Sequence, residues 1–358
     1  MSDLDAVRIN ELLRDARARG ASDLHFGGAD RAFVRIDGRL VALDEPPLAE
    51  AATRGFCEMT MTPAALERLR TRGTADGTLR MESGANRVHA FRHITGTRIV
   101  VRLLPTLVPT LEQLQLPGVL TTLASSSSGL LLFTGPAGSG KTTALAATID
   151  RINRVAARAI VTVEDPVEYV HAPNRSAITH CELGRDVSDY AEAVRGFMRA
   201  DPNVISIGEM RDGETMEAAL AAAETGHLVL ATLHTAEAPQ TIDRIIDTFA
   251  GAAQAQARSQ LANVLLAIFG LRLVPLAAGP GRACAAEVMI ATDAVRTLIR
   301  EGKTHQLRNT IVTGRNVGMQ TLESHLSDLV VRGRIGIEAA RSAANRPHEV
   351  QTLQREAV

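Results

Sequence analysis

The stretch Gly135-Pro-Ala-Gly-Ser-Gly-Lys-Thr142 decides the fold of this chain, because it matches the phosphate-binding pattern G-x-x-x-x-G-K-[ST] at every fixed position. It follows the apolar run at residues 130–134 and opens an alanine-rich segment, so a strand, a glycine loop and a helix are predicted in that order. Glycine lets the backbone turn sharply, so that N–H groups and the helix N-terminus face phosphate oxygens. This context predicts a nucleotide-binding loop.

The side chains of this loop indicate which groups would contact a bound nucleotide. Lys141 would reach the β- and γ-phosphates, and the Thr142 hydroxyl stands where it can ligate Mg²⁺. Thr143 either binds as well or supports the first helical turn. A glycine-rich turn that binds no nucleotide is the alternative, and the agreement of pattern and context weighs against it. The predicted contacts are Gly135, Pro136, Ala137, Gly138, Ser139, Gly140, Lys141, Thr142 and Thr143.

Two apolar strands that end in carboxylates supply the acidic groups that a nucleotide hydrolase needs beside its phosphate loop. The segment Val204-Ile-Ser-Ile-Gly-Glu209 ends at Glu209, and Val161-Thr-Val-Glu-Asp-Pro166 ends in two carboxylates, the first of which is Glu164. Helix-capping or salt-bridge roles are the alternative for this second pair. Gly208 stands where the common metal-binding strand of P-loop ATPases carries aspartate. This difference reduces the number of P-loop ATPase families to which the chain can belong.

Residues 1–105 are predicted to form a small α+β domain. Apolar residues at helical spacing indicate a helix over residues 6–19, and alternating segments between turn-forming glycines indicate strands. A further helix is expected over Pro63–Arg72, with Thr62 as its N-cap and Gly73 as its stop.

The rest of the chain is predicted to form a larger α/β domain. Two prolines interrupt regular structure near residue 105, and they mark a linker over residues 106–117. Over residues 118–358, apolar strands alternate with alanine-rich helices, which is typical of a largely parallel sheet. From about residue 256 the chain is expected to be mostly helical. The candidate core strands are residues 130–134, 159–163, 204–207 and 227–232.

Composition and charge exclude several classes of protein. The 358 residues predict about two domains, and 45% hydrophobic with 22% charged residues argue against disorder, collagen and coiled-coil rods. Lys plus Arg number 39 against 40 Asp plus Glu, so no basic excess indicates nucleic acid or an anionic membrane. Aromatic residues are only 3%, which counts against binding of single strands by base stacking.

Cysteine usage and apolar patterning predict a cytoplasmic location. The three cysteines are widely spaced and form no Cys-x-x-Cys pair, so neither a disulfide framework nor a zinc ribbon is expected. Residues 1–10 carry two aspartates where a signal peptide has a basic region before an apolar run. No stretch approaches the ~18 uninterrupted apolar residues that a transmembrane helix requires.

Three further segments accompany the phosphate loop. Val163-Glu-Asp-Pro-Val-Glu168 looks like an aspartate box, Arg199-Ala-Asp-Pro-Asn-Val-Ile-Ser-Ile-Gly-Glu-Met-Arg-Asp212 like an atypical Walker B segment, and Thr225-Gly-His-Leu-Val-Leu-Ala-Thr-Leu-His-Thr235 like a histidine box. The four motifs, in this order, resemble the secretion-ATPase superfamily that powers type IV pili and type II and IV secretion. The resemblance is strongest to its pilus retraction branch, the PilT-like proteins.

The resemblance extends beyond these motifs. Gly20-Ala-Ser-Asp-Leu-His25 and Arg87-Val-His-Ala-Phe91 look like the PAS-like N-terminal domain of these ATPases. Residues 294–306 are similar to a helical segment of the retraction branch, from which Val295 and Thr297 depart. The resemblance therefore implies a PAS-like domain followed by a RecA-like P-loop ATPase domain with a helical C-terminal extension.

This resemblance implies a homohexameric ring that binds ATP and Mg²⁺ between its two domains. Glu209 would hold the metal or its water shell, and Glu164 would act on the attacking water as general base. His227 and His234 would sense the γ-phosphate. The arginines that resemble the family's phosphate-binding arginines are Arg87, Arg102, Arg195 and Arg199.

The resemblance implies a cytoplasmic motor that disassembles a pilus. The motor would bind peripherally at the inner membrane and act on a platform protein there. An ATPase of a secretion, conjugative or pilus-assembly system is the alternative, although no tetracysteine zinc module or long N-terminal extension is expected. A hexameric nucleic-acid translocase would need basic or aromatic strand-binding loops. A regulatory protein that binds nucleotide without hydrolysis is disfavoured by Lys141, Glu164 and Glu209.

Overall fold

The structure is a computed structural model that describes residues 3–36, 38–81, 84–104 and 107–351. These residues form two compact units. The first runs to residue 107 and adds Pro166–Val170, and the second comprises Val108–Asp165 and the chain from His171 onward. Residues 108–117, expected in a linker, belong to the second unit, because Leu111 is buried in its core. Residues 105, 106 and 352–358 lie outside the described part.

The first unit is built on a six-stranded antiparallel sheet with strand order β3-β2-β1-β6-β5-β4 within the described residues. Its elements are α1 (Asp3–Ala18), β1 (Asp23–Gly27), β2 (Asp30–Ile36), β3 (Arg39–Ala42), α2 (Glu50–Thr60), α3 (Pro63–Arg72), β4 (Thr74–Met81), β5 (Gly84–His93) and β6 (Gly96–Arg102).

Alternation along these strands separates a buried face from a more exposed one. Phe26 on the buried face meets Phe56 of α2 edge to face, with ring centroids 5.2 Å apart. The helix α3 has the predicted bounds: Thr62 accepts from the backbone N–H of Ala65, and Gly73 ends the helix at φ +77°. The mixed α+β character predicted for this region is confirmed.

The second unit contains a seven-stranded sheet with order β13-β12-β7-β11-β10-β8-β9 within the described residues. Its elements are α4 (Val119–Leu123), β7 (Gly129–Thr134), α5 (Lys141–Val155), β8 (Ala159–Glu164), β9 (Ala177–Glu182), α6 (Tyr190–Phe197), β10 (Val204–Ile207), α7 (Gly213–Glu224), β11 (Leu228–Leu233), α8 (Ala238–Asp247), α9 (Gln254–Val264), β12 (Leu265–Pro275), β13 (Arg282–Ile290), α10 (Asp293–Arg300), α11 (Leu307–Thr313), α12 (Leu322–Val331) and α13 (Ile337–Ala343).

The central strands of this sheet are fully buried and all parallel. Each residue of β7 and β11 is buried, as expected for strands covered by helices on both faces. Only β13 runs antiparallel, beside β12. Because parallel strands end at one edge, the loops that follow β7, β8, β10 and β11 are brought together there.

The expectation of a mostly helical chain from about residue 256 is wrong for residues 265–290. The strands β12 and β13 occupy this region and extend the sheet beyond β7. An apolar run such as Leu-Leu-Ala-Ile-Phe-Gly-Leu at residues 265–271 has no period that separates a buried strand from a buried helix. The helix α9 precedes these strands, and helices resume with α10. No helix within the described ranges combines the length and apolar character needed to cross a membrane.

A buried carboxyl group on β13 anchors the start of α8. Glu287 is 5% exposed, and its Oε1 accepts a 2.7 Å hydrogen bond from the backbone N–H of Ala238, the first residue of α8. Burial, with smaller contributions from the charges of Glu237 and Glu323, raises the pKa of Glu287 to about 7, although the hydrogen bond from Ala238 lowers it. This carboxyl group holds the helix that follows the histidine box.

Candidate active site

The phosphate loop connects β7 to α5 through a backbone that only glycine adopts readily. Gly135, Gly138 and Gly140 have φ values of +138°, +74° and +95°. A Cβ atom on Gly135 would lie 2.5 Å from the Leu271 carbonyl oxygen, so the loop leaves no room for a side chain there. The exposed tip is formed by Pro136, Ala137 and Gly138, and Thr142 and Thr143 are half-buried in the first turn of α5.

Lys141 folds back onto its own loop. Its side chain is buried, and Nζ donates to the carbonyl oxygens of Gly135 at 2.8 Å and Pro136 at 2.9 Å. Nζ also lies 3.5 Å from Nδ1 of His234, which follows β11. The lysine of the loop and the last histidine of the histidine box are therefore in contact.

Glu209 lies next to this pair, just beyond β10. Its Oε1 is 3.0 Å from His234 Nε2, and its Oε2 is 2.8 Å from Arg211 Nε. Since Lys141 can only donate, His234 accepts at Nδ1 and carries its proton on Nε2, which donates to Glu209. The bond to Glu209 raises the pKa of Arg211. Both oxygens of the Glu209 carboxylate are thus held by side chains of this chain.

Gly208 lies where a larger side chain would be crowded by its neighbours. Its N–H donates to the Val163 carbonyl oxygen at 2.7 Å, and its own carbonyl oxygen accepts from Thr232 Oγ1 at 2.5 Å. A Cβ atom at this position would lie 3.1 Å from Glu164 Cα. Close packing of β10 against the end of β8 therefore explains why glycine stands where other P-loop ATPases carry aspartate.

Glu164 ends β8, the strand beside β10. Its side chain is 12% exposed, and its Oε1 accepts a 2.9 Å hydrogen bond from Thr162 Oγ1. Adjacent strands are about 4.8 Å apart, so Glu164 and Glu209 stand near one another at the carboxyl edge. The two predicted carboxylates thus flank the same region of the sheet as the phosphate loop.

His227 lies away from these residues within the chain, and its role at the γ-phosphate stays a prediction. It precedes β11, whereas His234 follows it, and a rise of about 3.3 Å per residue separates them by roughly 23 Å. His227 Nδ1 lies 2.9 Å from the Ala222 carbonyl oxygen in the last turn of α7. The histidine therefore stabilises the end of a helix at the opposite edge of the sheet.

Arg195 and Arg199 also lie away from the phosphate loop of their own chain. Both are exposed, and Arg199 donates to the Arg195 carbonyl oxygen at 3.3 Å. The neighbouring Met198 Sδ accepts from Thr225, which precedes β11. The two arginines therefore lie at the amino edge of the sheet, and their contact with a nucleotide stays a prediction.

Arg87 and Arg102 are cross-strand neighbours in the first unit. They lie directly opposite one another on β5 and β6, and both are exposed. Arg102 Nε lies 3.0 Å from Asp23 Oδ1, whose carboxylate is buried. The structure therefore places two guanidinium groups on one face of that sheet.

Sequence reasoning missed three polar residues near the carboxylates: Arg211, Thr162 and His180. Arg211 lies within the Walker B segment, two residues after Glu209, and its spacing could have indicated it. Thr162 is a hydroxyl inside an apolar strand, which is a weak signal. His180 carries no local signal, because it reaches Glu164 only through the pairing of β8 with β9.

The chain matches known proteins over nearly its whole length. Residues 4–357 match the family model of type II/IV secretion system proteins. The type IV pilus retraction ATPase PilT of Pseudomonas aeruginosa is 39% identical over 340 residues, which cover 95% of this chain and 98% of that protein. The type IV pilus ATPase PilU of the same organism is 34% identical over 348 residues, which cover 97% and 91%.

A solved structure has the same architecture. The crystal structure of the pilus retraction motor PilT with bound ADP aligns with a TM-score of 0.86 at 38% identity, and it covers 95% of this chain and 97% of that chain.

Proposed function

The chain belongs to the family of type II/IV secretion system proteins and is an ATP-hydrolysing enzyme, and from this premise we propose that it is a homohexameric motor for pilus retraction. It works in the cytoplasm, peripherally at the inner membrane, on a platform protein of the pilus machine. The observation that carries the proposal is the meeting of Lys141, His234 and Glu209 at the edge where the phosphate loop begins. Full-length likeness to a retraction ATPase supports the direction of movement.

The residues present fit ATP phosphates. The backbone of residues 135–140 turns with three positive φ values, and α5 presents its N-terminus to the same space. Ser139 Oγ is buried and has no hydrogen-bond partner among the described residues. In this proposal, Lys141 leaves the carbonyl oxygens of its loop for the β- and γ-phosphates.

The donor chemistry fits Mg²⁺ as well. The Thr142 hydroxyl and the Glu209 carboxylate are oxygen donors, which Mg²⁺ prefers, and Mg²⁺ is usually held by one or two carboxylates together with substrate phosphates. Among the described residues, no cluster of three or more His, Cys, Asp or Glu side chains could hold a metal. Bound there, Mg²⁺ would neutralise charge that develops on the phosphate oxygens.

The hydrolytic step is assigned to Glu164 and His234. Glu164 orients the attacking water and takes its proton, since its carboxylate is fixed by Thr162 and stands at the same edge as the loop. His234 donates from Nε2 to Glu209. In this proposal, His234 senses the γ-phosphate through its contact with Lys141.

Arg87 and Arg102 are proposed to bind anionic phosphate oxygens. The two guanidinium groups lie opposite one another on adjacent strands and concentrate positive charge on one face of the sheet, where Arg102 also pairs with Asp23. Arginine forms bidentate bonds to phosphate, so the pair suits this role. Arg195 and Arg199, which lie at the amino edge of the sheet, are proposed to contact a nucleotide held by another subunit.

The test is steady-state Mg-ATP hydrolysis by the purified chain over a protein concentration series, with and without single-stranded DNA. We expect specific activity that rises with concentration, ignores DNA and disappears in Glu209→Gln. Activity that is independent of concentration and stimulated by DNA would move the protein to the translocase class. The direction is tested in a deletion strain: loss of a retraction motor gives excess pili, whereas loss of an assembly motor removes them.

A further inference from the structure

Thr162 joins the predicted general base to a histidine on the neighbouring strand. It lies on β8 with a fully buried side chain, and its Oγ1 is 2.9 Å from Glu164 Oε1 and 2.9 Å from His180 Nδ1. His180 is the direct cross-strand partner of Thr162 on β9. The hydroxyl group therefore bridges a carboxylate and an imidazole.

The other ring nitrogen of His180 determines the direction of these bonds. The backbone N–H of His171 donates to His180 Nε2 at 3.2 Å, so Nε2 must carry a lone pair. The proton of the neutral ring is then on Nδ1, which donates to Thr162 Oγ1. The hydroxyl proton of Thr162 is left to donate to Glu164 Oε1. Every donor in this series has one acceptor, and the series ends on Glu164.

A second histidine packs against the ring of His180. The imidazoles of His171 and His180 are stacked with centroids 5.6 Å apart and planes 13° apart. His171 is buried, and burial, together with the charge that His180 would carry, lowers the pKa of His171 to about 4. The ring of His171 is therefore neutral near pH 7, and it restricts the rotation of His180.

We propose that Thr162 and His180 are positioning residues that fix the Glu164 carboxylate for its action on the attacking water. This inference rests on the role of Glu164 in the proposed function. The series orients the carboxylate and does not accept its proton, because Nδ1 of His180 already holds a proton and Nε2 is engaged by His171. Partners that orient a reacting group in this way commonly alter rate far more than binding.

The experiment compares Thr162→Val, Thr162→Ser and Thr148→Val in the full-length protein, measuring kcat, the half-saturating ATP concentration and thermal unfolding. Valine removes the hydroxyl without changing the shape of the side chain, and serine keeps it. Thr148→Val is the matched control, since Thr148 is also fully buried and its hydroxyl donates to the Ala144 carbonyl oxygen within α5.

We expect Thr162→Val to lower kcat about tenfold with the half-saturating ATP concentration changed by less than about twofold. Serine should keep kcat within about twofold of wild type, and so should Thr148→Val. Adding His180→Leu to Thr162→Val should cause little further loss, because both changes break one series of bonds.

A Glu164→Gln variant separates the two proposals. If Glu164→Gln abolishes hydrolysis but Thr162→Val keeps the kcat of the Thr148→Val control, the positioning role is wrong and the general base stands. Full additivity of Thr162→Val and His180→Leu would overturn the series in the same way. If Glu164→Gln keeps its activity, the assignment of the general base is itself wrong.

Discussion

Replacing the buried Glu287 with glutamine should change how the stability of this protein depends on pH. The pKa of Glu287 is raised from 4.5 to about 7, first by burial and then by the charges of Glu237 and Glu323. The folded chain therefore binds a proton that the unfolded chain releases between these two values. Stability from this group is complete below about pH 4.5 and is lost as the pH rises through about 7.

The interval from 4.5 to about 7 corresponds to a destabilisation on the order of 3 kcal/mol at pH 8. Glutamine is neutral at every pH and can still accept from the Ala238 N–H through its amide oxygen. We expect Glu287→Gln to exceed wild type by less than about 1 kcal/mol at pH 5 and by roughly 3 kcal/mol at pH 8.

The measurement is urea unfolding of both proteins from pH 5 to pH 8.5, taken as the difference between them so that other titrating groups cancel. Glu301→Gln serves as the control, since Glu301 is a half-exposed glutamate near the end of α10. This substitution also replaces a glutamate by glutamine, but at the surface, where the carboxylate pairs with Lys303. If the curves of Glu287→Gln and wild type run parallel over the whole range, the raised pKa is not a property of the folded protein.

Further expected outcomes concern the site. Gly208→Ala should lower the rate constant of ATP hydrolysis in a single-turnover experiment, because its Cβ crowds Glu164 at a cost of about 1–3 kcal/mol. Gly196→Ala is the control and should not lower this rate constant, since Gly196 has open space around it. His234→Ala should lower kcat by about 10- to 100-fold, since it removes the bond to Glu209. His227→Ala should leave the affinity for a fluorescent ADP analogue unchanged, but it should lower the free energy of unfolding by about 1 kcal/mol. Weaker binding of the ADP analogue would instead support the predicted role of His227 at the nucleotide.

The parts of the fold with local causes could be predicted from the sequence. The helix Pro63–Arg72 follows from its cap, its first proline and its terminal glycine, and the phosphate loop follows from its glycines. Glu164 and Glu209 could be placed because each ends an apolar strand that the parallel sheet brings to one edge. These features depend on residues close together along the chain.

Other features depend on pairing between distant segments. The segments that form β12 and β13 were expected to be helical. A fully apolar segment has no period that separates strand from helix, so pairing with the neighbouring strand of the sheet decides its structure. Strand and helix direction also determine that His227 and Arg199 lie at the edge of the sheet opposite the phosphate loop of the same chain, which their motifs do not encode. The bonds between His180 and Thr162 require the register of β8 against β9, which no short motif encodes.

The position of Lys141 has a consequence for the exchange of ADP for ATP in the proposed function. Its ammonium group donates to the carbonyl oxygens of Gly135 and Pro136 within its own loop. If Lys141 binds phosphates as proposed, loss of the product would not leave a buried, unpaired cation behind, so release would cost less free energy than the lysine–phosphate contact alone would give. The same two carbonyl oxygens would compete with an incoming nucleotide for the ammonium group, and they would weaken the binding of ATP by the same amount.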